Sequence, residues 1–201
     1  EGANLAICAR SSDSLNETAK ELRSKGITVY PHACDVGDKQ SLESFLKASN
    51  EQLDGIDILI NNTSGFGLTD DEQGWETGFN VDIMASVRAT KTVVPWMESA
   101  GSGNIIHISS ISGLEAGSPP AYAAVKAALV NHAKTMAQEL APKNIRVNCV
   151  APGSIWVEGG FWNIIKEGNP DMYEGVLNNI PFERLGTPEE VANVVTFLAS
   201  D

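Results

Sequence analysis

The chain predicts an α/β fold, a single domain of 201 residues built on a doubly wound parallel sheet. Two observations carry that expectation. Short apolar runs rich in β-branched residues recur along the chain, at Asn4 to Ala9, Ile27 to Ala33, Ile56 to Ile60, Ile105 to Ser109 and Ile145 to Val150, and helical patterns separate them. Strands that alternate with helices form right-handed βαβ units, whose strands run parallel. The second observation is size. The chain is long enough for one sizeable core and short for two, and it carries no repeat, low-complexity run or interdomain linker.

The elements follow in order. After the first strand, Arg10 stands at its end and Ser11 to Lys25 reads as a helix, with Leu15, Ala19 and Leu22 on one face and Gly26 as its stop. The second strand leads into Cys34-Asp35-Val36 and a helix from about Lys39 to Leu53, with Leu42, Phe45 and Leu46 at helical spacing. The third strand ends in Asn61-Asn62-Thr63-Ser64-Gly65. A polar loop over Phe66 to Glu76 then precedes a long helix from about Trp75 to Ser99, which Pro95 ends or kinks. The central strand at Ile105 follows. From Ala121 an alanine-rich helix without internal Gly or Pro runs to Pro142. Beyond the strand ending in Ala151-Pro152-Gly153, residues 154–185 read as irregular, aromatic and Gly-rich, either a substrate lid or an apolar cover for the core or a subunit contact. Thr187-Pro188-Glu189-Glu190 is a helix start with an N-cap, Pro at the first helical position and acidic residues in the first turn.

Composition excludes several classes of function. A net charge of -12 argues against a nucleic-acid partner, which needs clustered Lys and Arg. No apolar run is long enough to span a membrane. Cys8, Cys34 and Cys149 fall in apolar strand-like runs at spacings that match neither a disulfide framework nor a zinc site, which reads as buried reduced thiols in a cytoplasmic protein with no bound metal.

The chemistry gathers around the central strand. Tyr122 and Lys126 are four residues apart and share one face of a helix's first turn, and Ser110 lies just past the strand's carboxyl end. In an open α/β sheet ligands bind at that end of the strands. A free phenol is a poor base at neutral pH, but a neighbouring ammonium favours its ionised form and brings it into the range of general acid-base work. Ser110 would hold a carbonyl or alkoxide oxygen while Tyr122 exchanges a proton with it. No side chain supplies a hydride, so the trio points to a nicotinamide cofactor. Taken alone, a Tyr and a Lys four apart are more often a packed phenol on a solvated helix face.

Together the motifs resemble the short-chain dehydrogenase/reductase family over essentially the whole chain. The pieces that carry the resemblance are Cys34-Asp35-Val36, Asn61-Asn62, Asn80-Val81, Ile108-Ser109-Ser110, Tyr122 through Lys126, Asn148 through Gly153 and Arg184 through Glu190, in the family's order. It implies a Rossmann-like sheet and a reductase of ketones or 3-oxoacyl thioesters, similar to 3-oxoacyl-carrier-protein reductases. Tyr122 would be the acid/base, and Lys126 would assist it and hydrogen-bond the nicotinamide ribose. Ser110 would orient the substrate carbonyl. Asn80 would anchor a water that relays protons to Lys126. Asp35 would contact the adenine, Asn61 would line the cofactor cleft, and Pro152-Gly153 would shape the nicotinamide pocket. Arg10, followed by Ser11 and Ser12 with no carboxylate until Asp13, suits a 2′-phosphate and favours NADP over NAD. An Arg facing solvent at a strand end is the plainer alternative. The resemblance further implies a homotetramer or homodimer, with the helices at Trp75 and Ala121 as the suspected interface.

The chain departs from the family in places. Asn61-Asn62-Thr63-Ser64-Gly65 is an enlarged, more polar turn, no clear carboxamide-binding Thr follows Gly153, and Ser110 lies twelve residues before Tyr122, one fewer than the family spacing, which leaves Ser109 as a second candidate. The resemblance also implies a strand and a glycine-rich turn before Glu1 and a strand after Asp201, so the fold is expected to be incomplete at both ends and to bind cofactor poorly as it stands. Two other readings stand beside the enzyme: a catalytically silent binding protein of the same fold, and an inactive fragment. The substrate is not legible from these residues.

Overall fold

The computed structural model describes residues 2–200. Strands β1 (Leu5–Ala9) and β2 (Val29–Ala33) pair in parallel, with Cys8 opposite His32. Pro31 lacks an N–H for a ladder, and among the described residues β2 is an edge strand that pairs with β1 alone. The crossover between them is α1 (Ser12–Arg23), which buries Leu15 and Ala19. Helix α2 (Lys39–Leu53) starts where the Asp38 side chain accepts from the Ser41 N–H at 2.7 Å.

Strands β3 (Ile58–Asn61), β4 (Gly103–Ile108) and β5 (Ile145–Val150) form a second parallel sheet in that order, with His107 between Asn61 and Cys149. Among the described residues β1 and β3 do not pair, and the parallel strands fall into two-stranded and three-stranded parts, as the expectation of an incomplete sheet requires. Ile58 and Ile60 on β3 are exposed along that seam. The main core lies between α2, the later helices and β4, where Val93, Met97 and Ile105 are fully buried.

Two stretches differ from the sequence expectation. The long helix expected from Trp75 is three segments: α3 (Glu72–Gly78), a π-helical turn over Phe79–Met84, and α4 (Ala85–Ala100). Pro95 does not end α4, which stops at Gly101 in the left-handed conformation, φ 82°. The segment expected to be irregular contains two helices, α6 (Phe161–Gly168) and α7 (Pro170–Asn178), the latter begun by the Asn169 side chain accepting from the Met172 N–H. Helix α5 (Pro120–Leu140) packs on β5. Helix α8 (Pro188–Ala199) starts in a capping box between Thr187 and Glu190.

Candidate active site

The loop after β4 is fixed from both sides. The Ser109 N–H donates to the Val150 carbonyl at 2.7 Å and the Ile111 N–H to the Pro152 carbonyl at 2.9 Å, which stitches this loop to the one after β5. Gly113 then passes against α5 so closely that a Cβ there would lie 2.6 Å from the Lys126 backbone carbon. The two serines are thereby separated in role. Ser109 is buried with its hydroxyl donating to the Lys126 carbonyl at 2.7 Å, a purely structural bond. Ser110 caps a short 3₁₀ turn over Ile111–Gly113, its Oγ accepting from the Ser112 N–H at 3.2 Å, and its own proton is left for another acceptor. That geometry favours Ser110 over Ser109.

On α5 the Lys126 Nζ stands 5.6 Å from the centroid of the half-buried Tyr122 ring. It donates to the Ile108 carbonyl at 3.3 Å and forms an ion pair with Asp82 Oδ1 at 2.8 Å. The pair is nearly sealed from water, Lys126 being 3% exposed and Asp82 0%. The other carboxylate oxygen of Asp82 accepts the Gly65 N–H at 2.8 Å, so one side chain ties the enlarged turn after β3 to the lysine. Cys149 on β5 lies close by. Burial raises its thiol above the usual range, while Ser109 hydrogen bonds and the Lys126 ammonium act in the opposite direction.

Asn80 is not brought to this cluster. Its amide donates to the Gly37 carbonyl at 3.0 Å, and its oxygen accepts from Arg88 at 3.2 Å. The reason is rotational: residues two apart on a helix lie roughly half a turn apart around its axis, so only one of Asn80 and Asp82 can face α5. The π-helical turn presents Asp82. Spacing did not reveal Asp82, although a carboxylate between Val81 and Ile83 on a helix that must pack was the available signal.

The cofactor-side residues form a second group. Arg10, Asp35 and Asn80 line one cavity of about 740 Å³, with Trp75 and Phe79 on the same wall. Asp35 accepts from the Gly37 N–H at 2.9 Å, an Asx-type turn that leaves its other oxygen available. Asn61, at the end of β3, is mostly buried and hydrogen-bonds His107 Nδ1 at 3.2 Å. Pro152 is held by the Ile111 bond, and the space around the Gly153 Cα is open. On the wall of that cavity the Arg10 guanidinium offers donors and the free Asp35 oxygen an acceptor, groups that fit the adenosine end of a dinucleotide.

Over residues 154–185, Trp156 and Tyr173 meet edge to face at 6.1 Å, and the Lys166 ammonium lies 5.3 Å from each ring. Arg184 clamps the far end of the segment through two bonds to Glu190, of 3.0 and 2.6 Å.

Comparison with known proteins agrees with this geometry. The family model described as enoyl-(acyl carrier protein) reductase matches residues 1–201. The chain is a short-chain dehydrogenase/reductase. It is 36% identical over 208 residues to isoepoxydon dehydrogenase of Penicillium expansum, with 100% of the chain and 79% of that protein covered. It is also 36% identical over 210 residues to 3-oxoacyl-(acyl-carrier-protein) reductase of Thermotoga maritima, covering 100% of the chain and 82% of the relative. Among solved structures, L-sorbose reductase of Gluconobacter frateurii, complexed with NADPH and L-sorbose, superposes with a TM-score of 0.89 at 33% identity, over 100% of the chain and 81% of that structure. This short-chain dehydrogenase/reductase is accordingly an NAD(P)-dependent oxidoreductase that acts between alcohol and carbonyl groups. Among its described residues no helix is long and apolar enough to cross a membrane.

Proposed function

We propose that the protein is an NADP-dependent ketoreductase that interconverts a ketone or 3-oxoacyl carbonyl and a secondary alcohol. The observation that carries the reading is Lys126 on α5, held by the Ile108 carbonyl at the end of β4 with its Nζ 5.6 Å from the Tyr122 ring, next to the loop in which the Ser110 hydroxyl keeps its proton. When bound, the cofactor supplies the hydride. The Ser110 hydroxyl, whose proton is free, donates to the substrate oxygen and orients the carbonyl carbon. As negative charge develops on that oxygen the Tyr122 phenol delivers its proton, and in the alcohol-oxidising direction the phenolate takes it back. The ammonium of Lys126 stabilises the charge left on the phenol and offers its remaining N–H to the cofactor ribose. Asn61 and the Pro152-Gly153 turn shape the nicotinamide end of the cleft, and Asp35 meets the adenine.

Arg10 supports NADP over NAD because it sits on the cavity wall beside Asp35, where a guanidinium pairs with a 2′-phosphate. The aromatic helices α6 and α7 suit an apolar or extended substrate. The same reading includes a cytoplasmic homo-oligomer, a tetramer or dimer, joined through the helical stretch from Trp75 (α3 to α4) and α5.

Two substitutions test it. In the intact enzyme Tyr122→Phe should abolish turnover of a ketone panel and of 3-oxoacyl thioesters while sparing cofactor binding, and unchanged turnover would refute the assignment. Arg10→Ala should weaken NADPH binding by about tenfold and leave NADH binding nearly unaltered, as expected for loss of one charge-assisted contact. Equal effects on the two cofactors would remove the argument for NADP.

A further inference from the structure

We propose that Asp82 is a positioning residue that balances the charge of Lys126 by a direct ion pair, and so sets the pH at which the Tyr122 proton transfer runs higher than an amide in its place would. The inference rests on the ketoreductase reading of the site. It concerns a residue that the resemblance did not assign and that the family pattern fills, in role, with an amide and a water.

The geometry makes the case. Asp82 Oδ1 lies 2.8 Å from Lys126 Nζ, and both side chains are almost wholly removed from solvent. Asp82 is the only carboxylate among the buried described residues. An ammonium in contact with a carboxylate presents its surroundings with a dipole in place of a lone positive charge, and a dipole's field falls off faster with distance. Tyr122, whose ring centroid is 5.6 Å from the same Nζ, therefore feels less of the cation than it would beside an uncompensated lysine. The position of Asp82 is itself fixed. Its second oxygen takes the Gly65 N–H at 2.8 Å, and its backbone carbonyl accepts the Ser86 hydroxyl at 3.0 Å. The π-helical turn that turns Asn80 away presents it to α5.

Among the described residues no other charge near the pair competes for this role. From β5 the Cys149 thiol faces the ammonium, and burial raises its pKa, which favours the neutral thiol. From β4 His107, paired with Cys149 in register, is neutral above about 4 and meets His132 of α5. The 3₁₀ turn Ile111–Gly113 carries no titratable side chain, and Glu72 and Glu76 of α3 are exposed.

The test replaces the charge and keeps the shape. Asp82→Asn retains an acceptor for the Gly65 N–H, and Asp82→Ala removes the same charge without it. In the full chain, kcat/KM for carbonyl reduction and alcohol oxidation is measured across pH for the wild type and both variants. Tyrosinate ultraviolet absorbance is followed in alkaline titrations, with Tyr122→Phe as the blank. The expected result is that both variants move the rate profiles and the Tyr122-dependent absorbance toward lower pH. At neutral pH, alcohol oxidation by Asp82→Asn relative to its own maximum should rise about tenfold, the effect of one unit in the profile. Asp82→Ala should show the same displacement with a lower kcat, because Lys126 is held less firmly. Profiles and titrations that superpose on the wild type, or that move toward higher pH, would overturn the proposal. Loss of the fold in both variants would do so as well, since Asp82 would then be structural alone. The absorbance readout needs neither substrate nor cofactor. An absence of turnover in the wild type thus counts against the ketoreductase reading, whereas an unmoved tyrosinate titration counts against the role of Asp82.

Discussion

His107 makes the folded state sensitive to acid through a route separate from the proposed chemistry. It lies one residue before the end of β4 with no exposed surface, and its Nδ1 accepts from the Asn61 amide at 3.2 Å, which leaves the ring proton on Nε2. A second proton on Nδ1 would have to point at an N–H donor inside the core. Burial, and then the nearby ring of His132, push its pKa down from 6.5 to about 4. The unfolded chain therefore binds a proton more readily than the folded one between those values, so stability is fully present above about 6.5 and is lost as pH falls toward 4. At about 1.4 kcal/mol per pH unit the loss amounts to about 3 kcal/mol, which at a urea slope of about 2 kcal/mol per molar lowers the midpoint by about 1.5 M. Urea unfolding followed by far-ultraviolet circular dichroism at a series of pH values measures this directly. His107→Gln, which keeps an acceptor for Asn61, should flatten the dependence over that interval whatever it does to the absolute midpoint. If the wild type and His107→Gln lose stability in parallel between pH 6.5 and 4, the argument from His107 fails.

The remaining expectations concern the site's scaffold. Lys126→Met leaves the Asp82 carboxylate buried without its partner, and should cost about 3–5 kcal/mol in chemical denaturation as well as turnover. Gly113→Ala sets a methyl group 2.6 Å from the Lys126 backbone carbon, and should lower kcat by about 100-fold through displacement of the Ser110 loop, with cofactor affinity little changed. Thr187→Ala removes the N-cap of α8 and should destabilise the protein by about 1 kcal/mol. Glu190, held down to about 2 by Arg184 and the Thr187 N–H, contributes stability above about 4.5 that is lost as pH falls toward 2. Hydrogen exchange over residues 183–190 should accelerate in that window in the wild type and at all pH values in Glu190→Gln.

Much of this architecture could be read along the chain because its determinants are local. The five strands, α2 and α8 follow from apolar runs, an Asp or Thr cap and a Gly or Pro stop, each acting over a few neighbouring residues. Tyr122 and Lys126 were legible for the same reason, since four residues on one helix fix their shared face. The helices of residues 154–185 were hidden by Gly159 and Gly160, although Asn169-Pro170 is the same cap-and-proline start that marked Thr187-Pro188. Ser110 was already preferred along the chain; setting Ser109 aside needed its bond to the Lys126 carbonyl, which joins residues seventeen apart across two elements.

The presence of Asp82 beside Lys126, where the resemblance implied Asn80 through a water, shows where a family pattern stops. Both residues lie in a helical stretch facing the sheet's carboxyl edge, and an amide matched the chemistry expected beside Lys126. Which of them arrives there is decided by the phase of the helix, and a single π-helical turn, with its i to i+5 bonding, resets that phase for every residue after it. Such a turn has no sequence signature comparable to a cap or a proline. Its consequence is nevertheless chemical: a carboxylate is sealed against the lysine, and the amide is left to clasp Gly37 beside the cavity that Arg10 lines. Restoring regular α-helical phase, for example by deleting Val81, should withdraw the carboxylate from Lys126 and at the same time release the Asn80 bond to Gly37. One deletion should therefore disturb acid-base chemistry and cofactor binding together, whereas Asp82→Asn disturbs only the first. If the deletion and Asp82→Asn gave the same cofactor affinity, the π-helical turn would not be what joins the two ends of the site.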